Sequence, residues 1–388
     1  MMHTKAINRS RQRCRDVLIG VGITILLVFI AEVGARGYFW LKYQRCAELG
    51  RRHYGFNLAG YGDLMPDQDG MWTIWPHRPY HVQTNAAGLR NVEPLNEGGS
   101  SRILAIGDSM TFGPYVANED TWPGWLQVIL RQRLGRNDIQ VLNAGIAGYN
   151  IEDELSYFRD KGQALTPDVV ILGFFPNDIP DLRPSGRLGS RPAAENVGVV
   201  RRFLEDHVAL YRVADRIKSR VLIAIARSQI DDETREQANR SSQDILYVHP
   251  DLPAYHTYYE RYETMLRDLI AEVNAANSRL VIVAIPEYLQ IPADAYPDHP
   301  QRFVQAIADD TDTPYLDLLP AFRAAGEIDD LYLLAYHVEV EPDADDPFFA
   351  EHTRYVGNGH LSRFGYRVAA RAIADFLFAQ GLISSDAP

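Results

Sequence analysis

The chain has 388 residues, 46% hydrophobic and 23% charged, the proportions of a globular protein with room for one large domain or two ordinary ones. Its formal net charge of −12 argues against nucleic acid as a partner, since that would need a basic face. The only two cysteines, Cys14 and Cys46, flank an apolar segment, so a disulfide framework is not expected.

Residues 1–16 form a basic tail carrying Lys5, Arg9, Arg11, Arg13 and Arg15. The run VLIGVGITILLVFIA, Val17 to Ala31, has no charge, and EVGARGYFW extends it to Trp40. Residues 17–40 thus match the span of about 20 residues that crosses about 30 Å of hydrocarbon. Tyr38, Phe39, Trp40 and Tyr43 suit an interfacial belt, and Glu32 and Arg36 are spaced to pair on one helix face. The basic flank predicts a single-pass anchor in the cytoplasmic membrane, with all that follows on the extracytoplasmic, periplasmic side. The rival reading is a cleaved signal peptide, because Val33-Gly34-Ala35 resembles a small-residue cleavage site.

Residues 41–98 are rich in Gly, Pro, Asn and aromatics and read as an irregular lead-in packed on the domain. From 99 to 388 the pattern alternates strand and helix. Strands are expected at 103–106, 139–142, 169–174, 280–285 and 315–318. Helices are expected after Thr121, a good N-cap, and at about 151–161 and 363–379. Another carries Tyr255, Tyr259, Tyr262, Leu266, Leu269 and Val273 on one side. That spacing, with Tyr258 beside it, favours a core stripe over a platform for sugars. Repeated βα units imply a parallel five-stranded sheet with helices on both faces. Two insertions interrupt the rhythm, a charged helical one at about 183–249 and an acidic one at about 335–354. The acidic run EVEPDADD, Glu339 to Asp346, lacks the ordered spacing of a calcium loop, and no metal is expected.

The stretch RILAIGDSMTFG, Arg102 to Gly113, ends a buried-looking strand on a glycine, an acid and a hydroxyl. The carboxyl ends of parallel strands line a shared crevice, so sites gather there. Ser109 is a poor nucleophile unless a base takes its proton, and acyl transfer also needs donors for the developing oxyanion. The next junction, NAGIAGYN, offers the N–H of Gly145; the third, GFFPND, offers the side chain of Asn177. His360, in GNGHLSRFGYRVAARAI, precedes the last helix and can reach back over the sheet.

Taken together, GDSMTFG, Gly145, Asn177 and His360 resemble the blocks of the GDSL, or SGNH, hydrolase family, in the same order and each at a strand end. The resemblance implies a flavodoxin-like three-layer α/β/α sandwich, here with a helical insertion and an N-terminal transmembrane helix. It implies Ser109 as nucleophile and His360 as general base. It also implies an oxyanion hole from the N–H groups of Ser109 and Gly145 and the side chain of Asn177. Asp108 is a family feature, and Asp178 reads as a helix cap. TNAAGLR, Thr84 to Arg90, resembles a lead-in of membrane-anchored members and is given no catalytic role. The chain departs from the family where an aspartate is usual, two or three residues before the histidine: Gly357 and Asn358 stand there. Either a backbone carbonyl or Asn358 orients His360, or an acid such as Asp343, Asp345 or Asp346 substitutes, or the protein is a weakened or inactive relative.

The expected function is a serine esterase of the SGNH type acting outside the cytoplasm on acylated glycans or small esters, with no cofactor. Two alternatives stand beside it: an O-acyltransferase modifying an exported polysaccharide, and a non-catalytic envelope glycan-binding or assembly factor. The membrane is the one partner implied beyond substrate; no protein partner is indicated.

Overall fold

Five short apolar runs pair in parallel to form the central sheet: β1 (Arg102–Gly107), β2 (Gln140–Asn143), β3 (Val169–Phe174), β4 (Arg279–Ala284) and β5 (Tyr315–Asp317). Their order, β2-β1-β3-β4-β5, is the flavodoxin-like one. The computed structural model describes residues 15–38, 63–72, 80–96, 101–182, 253–292, 298–334 and 359–383. It adds short pieces at 12, 56–57, 208–211, 213–214, 217, 221, 337–339 and 353–355.

The strands are buried on both faces, and successive side chains feed two separate cores. Leu104, Ile106, Val170, Leu172 and Ile282 face one layer; Ile103, Ala105, Val169, Ile171 and Val281 face the other. The first layer holds α5 (Pro253–Ala275), whose Tyr259, Tyr262, Leu266, Leu269 and Val273 are buried. The stripe is therefore core, and Tyr258 packs against it half-buried; the side chain of Tyr255 lies outside the described residues. The second layer pairs α3 (Trp122–Leu134) with α8 (Arg363–Ala379), which buries Tyr366, Ala370, Ile373 and Leu377. Helices on both faces of one parallel sheet complete the three-layer sandwich.

The structure differs from the sequence pattern at four places. The lead-in, expected to be irregular, holds two antiparallel ladders, Phe56–Asn57 with Asp63–Leu64 and Asp69–Trp72 with Tyr80–Gln83. The helix expected over 151–161 keeps regular geometry only in α4 (Ile151–Tyr157), then widens over Phe158–Gly162 and tightens over Gln163–Leu165. The wide turn keeps Phe158 buried, while Gly162 lies so close that a Cβ there would sit 2.7 Å from its ring. Two helices flank β5 that the pattern did not single out, α6 (His299–Asp310) and α7 (Leu319–Ala325). Lastly, His337–Glu339 and Thr353–Tyr355 pair as an antiparallel ladder within the acidic insertion; its run from 340 to 352 lies outside the described residues.

The N-terminal helix α1 (Arg15–Tyr38) is long and apolar enough to cross a membrane, and its window of greatest hydropathy is wholly exposed. Arg36 donates to Glu32 across one turn at 2.8 Å. The Glu32 carboxylate also accepts the backbone N–H groups of Ala209 and Leu210, both at 2.9 Å. It thereby caps the first turn of a helical piece of the 183–249 insertion. Ala209, Leu210 and Val213 pack there against Ala35.

Thr121 opens α3 by accepting the N–H of Gly124 at 3.2 Å and donating to Asn118 O at 2.7 Å. Thr121→Ala should cost about 1 kcal/mol of stability and Thr121→Ser much less. The check is a urea midpoint that falls at unchanged slope.

Candidate active site

Residue 109 lies just beyond β1, as the first residue of a four-residue helix, α2 (Ser109–Phe112). Fully buried Asp108 caps that helix, its Oδ1 accepting the N–H of Met110 at 2.8 Å. Its Oδ2 lies 3.3 Å from the Ser109 hydroxyl.

A shorter bond competes for the same hydroxyl proton. His360 Nε2 is 2.8 Å from Ser109 Oγ, across 251 residues of sequence. Ser109 donates here when the imidazole proton is on Nδ1. His360 opens a two-residue strand, β7 (His360–Leu361), antiparallel to β6 (Tyr332–Leu333). Gly359, at φ +83°, bends the chain into that strand, and its N–H donates to Leu333 O at 2.8 Å. Ser362 then caps α8 through the N–H of Gly365. The histidine is thus held between a ladder and a helix N-terminus.

The expected donors sit on the loops that follow β2 and β3. Gly145 follows β2 so closely that a Cβ there would lie 2.4 Å from the backbone nitrogen of Phe112. Only glycine lets the β2 loop touch the nucleophile's helix. The Gly145 N–H itself donates to Asn143 Oδ1 at 3.0 Å, so this donor is engaged within the protein. Asn177 sits part-buried in the turn that leaves β3. Asp178 closes that turn, its N–H donating to Phe175 O at 3.0 Å and its Oδ2 accepting the Phe175 N–H at 3.3 Å. Asn358 and Gly357 lie outside the described residues, as do Asp343, Asp345 and Asp346. Among the described residues no cluster of His, Cys, Asp or Glu is built to hold a metal ion.

Several residues of this region carry no sequence signal. The Tyr115 ring stands edge-on to the His360 ring, centroids 5.6 Å apart at 73°. Glu154, on α4, is fully buried, and its carboxyl is pushed well above the usual range by burial and then by Asp108 and Asp153. Glu287 follows β4 and is 2% exposed; burial pushes its carboxyl up to about 8. The neighbouring Tyr288 ring is what a side chain at Gly359 would meet, at 3.2 Å. One buried acid among the three of α4, or one following a strand, is no pattern that periodicity can flag.

The arrangement can move a proton from the Ser109 hydroxyl to the His360 imidazole. The family model described as "GDSL-like Lipase/Acylhydrolase family" matches residues 105–368, more than half of the chain. Among solved structures, the acetylxylan esterase Axe2 of Geobacillus stearothermophilus is similar at 17% identity. It covers 72% of this chain and 95% of its own, with a TM-score of 0.41. LAE5, an alpha/beta hydrolase enzyme from the metagenome of Lake Arreo, Spain, is similar at 15% identity over 75% of this chain and 99% of its own, with a TM-score of 0.42. No curated protein matches the chain.

The raised Glu287 carboxyl makes stability depend on pH. Unfolded, the group releases its proton near 4.5; folded, it holds it up to about 8. Between those values the unfolded chain binds fewer protons, so stability falls as pH rises, by up to about 1.4 kcal/mol per pH unit. Urea unfolding across this window should show the decline, and Glu287→Gln should make it shallower.

Proposed function

The chain belongs to the GDSL-like lipase/acylhydrolase family, serine hydrolases of ester bonds, and from that premise we propose that Ser109 and His360 cleave acyl esters outside the cytoplasm. One observation carries the assignment of residues: the 2.8 Å contact between Ser109 Oγ and His360 Nε2. Ser109 Oγ attacks the ester carbonyl carbon while its proton passes to His360 Nε2. The resulting oxyanion takes hydrogen bonds from the Ser109 N–H and the Asn177 side chain. Gly145 is the third donor once its N–H is shared between Asn143 and the oxyanion. The tetrahedral intermediate expels the alcohol, which leaves with the proton from His360. Water, deprotonated by the same imidazole, then releases the acid and restores Ser109.

The extracytoplasmic site is supported by the apolar helix near the N-terminus and the basic residues before it. A domain held outside the cytoplasm meets acylated glycans as well as small esters, and these are the substrate class we propose. A sugar hydroxyl in place of water would make the same pair an O-acyltransferase. Asp343, Asp345 and Asp346 belong to the proposal as alternatives to Asn358 in orienting His360.

The test follows p-nitrophenol release from p-nitrophenyl acetate by the full chain in detergent, with and without an oligosaccharide acceptor. Ser109→Ala should abolish turnover and labelling by a fluorophosphonate. Acetyl found on the sugar would assign the transferase reading; equal rates in wild type and Ser109→Ala would overturn both. An Asp-to-Asn change costs about 10⁴-fold in the serine protease triad. Asn358→Asp should therefore raise kcat here, and unchanged kinetics would mean that residue 358 does not face the imidazole.

A further inference from the structure

We propose that Arg90 is a positioning residue for the Ser109–His360 pair, delivered by the stretch TNAAGLR. The proposal rests on the serine-esterase reading above.

Arg90 lies in the lead-in, yet it is 1% exposed. Asn85 shapes the approach, its Oδ1 accepting the N–H groups of Ala87 at 3.0 Å and Leu89 at 3.1 Å. The Arg90 N–H then donates to Asn143 O at 2.9 Å, at the end of β2. From there the side chain reaches the loop that follows the nucleophile's helix. Nη1 donates to Phe112 O and Gly113 O, Nη2 to Val116 O at 2.6 Å, and Nε to Asn118 Oδ1 at 3.2 Å. All four acceptors belong to residues 112–118.

Among the described residues no carboxylate pairs with this guanidinium. Its charge is met by oxygen dipoles and by the faces of Phe112 and Tyr80, whose centroids lie 4.4 and 5.6 Å away. Burial lowers its pKa only to about 10, so it stays charged at neutral pH. The planar fork matters because its nitrogens reach several separated oxygens at once. A lysine ammonium is a single point and cannot span them.

The clamp continues to the imidazole. Tyr115 has φ +68°, a left-handed conformation unfavourable for a tyrosine. The carbonyls of Gly113 and Val116, on either side of it, both accept from Arg90. The Tyr115 ring stands edge-on both to His360 and to Tyr80, each pair of centroids 5.6 Å apart. Tyr80 in turn packs on Phe112. Arg90 thus holds both the far end of the serine's helix and the ring that abuts the base.

A merely structural arginine would change how many molecules fold. A positioning residue changes the rate of each folded site. The experiment measures p-nitrophenyl acetate kinetics of the full chain, with active sites counted by endpoint fluorophosphonate labelling. Arg90→Lys should lower kcat per labelled site by about 10- to 10²-fold, the scale of a 1 Å misplacement, with KM nearly unchanged. Tyr115→Leu should do the same, while Tyr115→Phe, which keeps the ring, should lose less. The double variant Arg90→Lys, Tyr115→Leu should be no slower than its slower parent, since both break one device. Wild-type kcat per site in Arg90→Lys would overturn the proposal, however few sites remained. Should Arg90→Lys fail to fold, Tyr115→Leu decides, and a wild-type rate per site there overturns it equally. Full turnover in Ser109→Ala would instead sink the esterase reading, a result no Arg90 variant can produce.

Discussion

A hydroxyl and an imidazole 251 residues apart can share a proton only if the chain keeps returning to one end of the sheet. The parallel arrangement imposes that return. Each crossover passes over a face and re-enters at the amino end of the next strand, so every strand exits on the same side. Because β1 lies between β2 and β3, the chain first turns one way and then the other. The loops after β1 and β3 separate there and leave a crevice at the carboxyl ends. Ser109, Gly145 and Asn177 arrive at it from three consecutive strands. His360 belongs to none of the five, and the β6–β7 ladder with α8 brings it in.

Burial acts on two ionisable groups at this end of the sheet, raising the pKa of Glu154 and lowering that of Arg90. Burial, and then the charges of Asp108 and Asp153, push the Glu154 carboxyl well above its ordinary range. Asp108 serves as cap for α2 and as neighbour to the serine hydroxyl. Arg90 follows the opposite rule. It keeps its proton because four oxygens and two aromatic faces replace water around it. A carboxylate partner would have cancelled the charge but fixed only one point; four acceptors in one loop fix its shape.

The sheet was legible in the sequence because its strands are buried on both faces, and a continuous run such as VVILGF has few other uses. Helix α8 was legible from its apolar periodicity. Helix α6 was harder to see: it buries Val304, Ile307 and Ala308, but polar and acidic residues surround so narrow a stripe. The widened turn after Tyr157 depends on how Phe158 and Gly162 meet β1, a contact no local pattern encodes. At the site, the Ser109–His360 contact was legible through short motifs flanking the sheet. The engagement of the Gly145 N–H by Asn143 was not, since it depends on a side-chain rotamer. Arg90 was visible as a residue and silent as to purpose, because its meaning lies in carbonyls more than twenty positions away.

The lead-in is what joins these levels. β2 is an edge strand, and an exposed edge offers unpaired backbone groups to any passing chain. Here residues 91–96 cover it. Asn91 donates to Val141 O at 2.9 Å and accepts the N–H of Asn143 at 2.9 Å, while Gln140 bonds Pro94 O and the N–H of Asn96. Arg90 enters from the same strip. The strip 91–96, without helix or strand of its own, thus closes the sheet on one side, and Arg90 beside it sends a cation to the end of the nucleophile's helix. The family match begins at residue 105, but the physical unit begins earlier. A chain cut just before β1 would keep Ser109 and His360 and lose both the edge cover and the clamp on the loop between them.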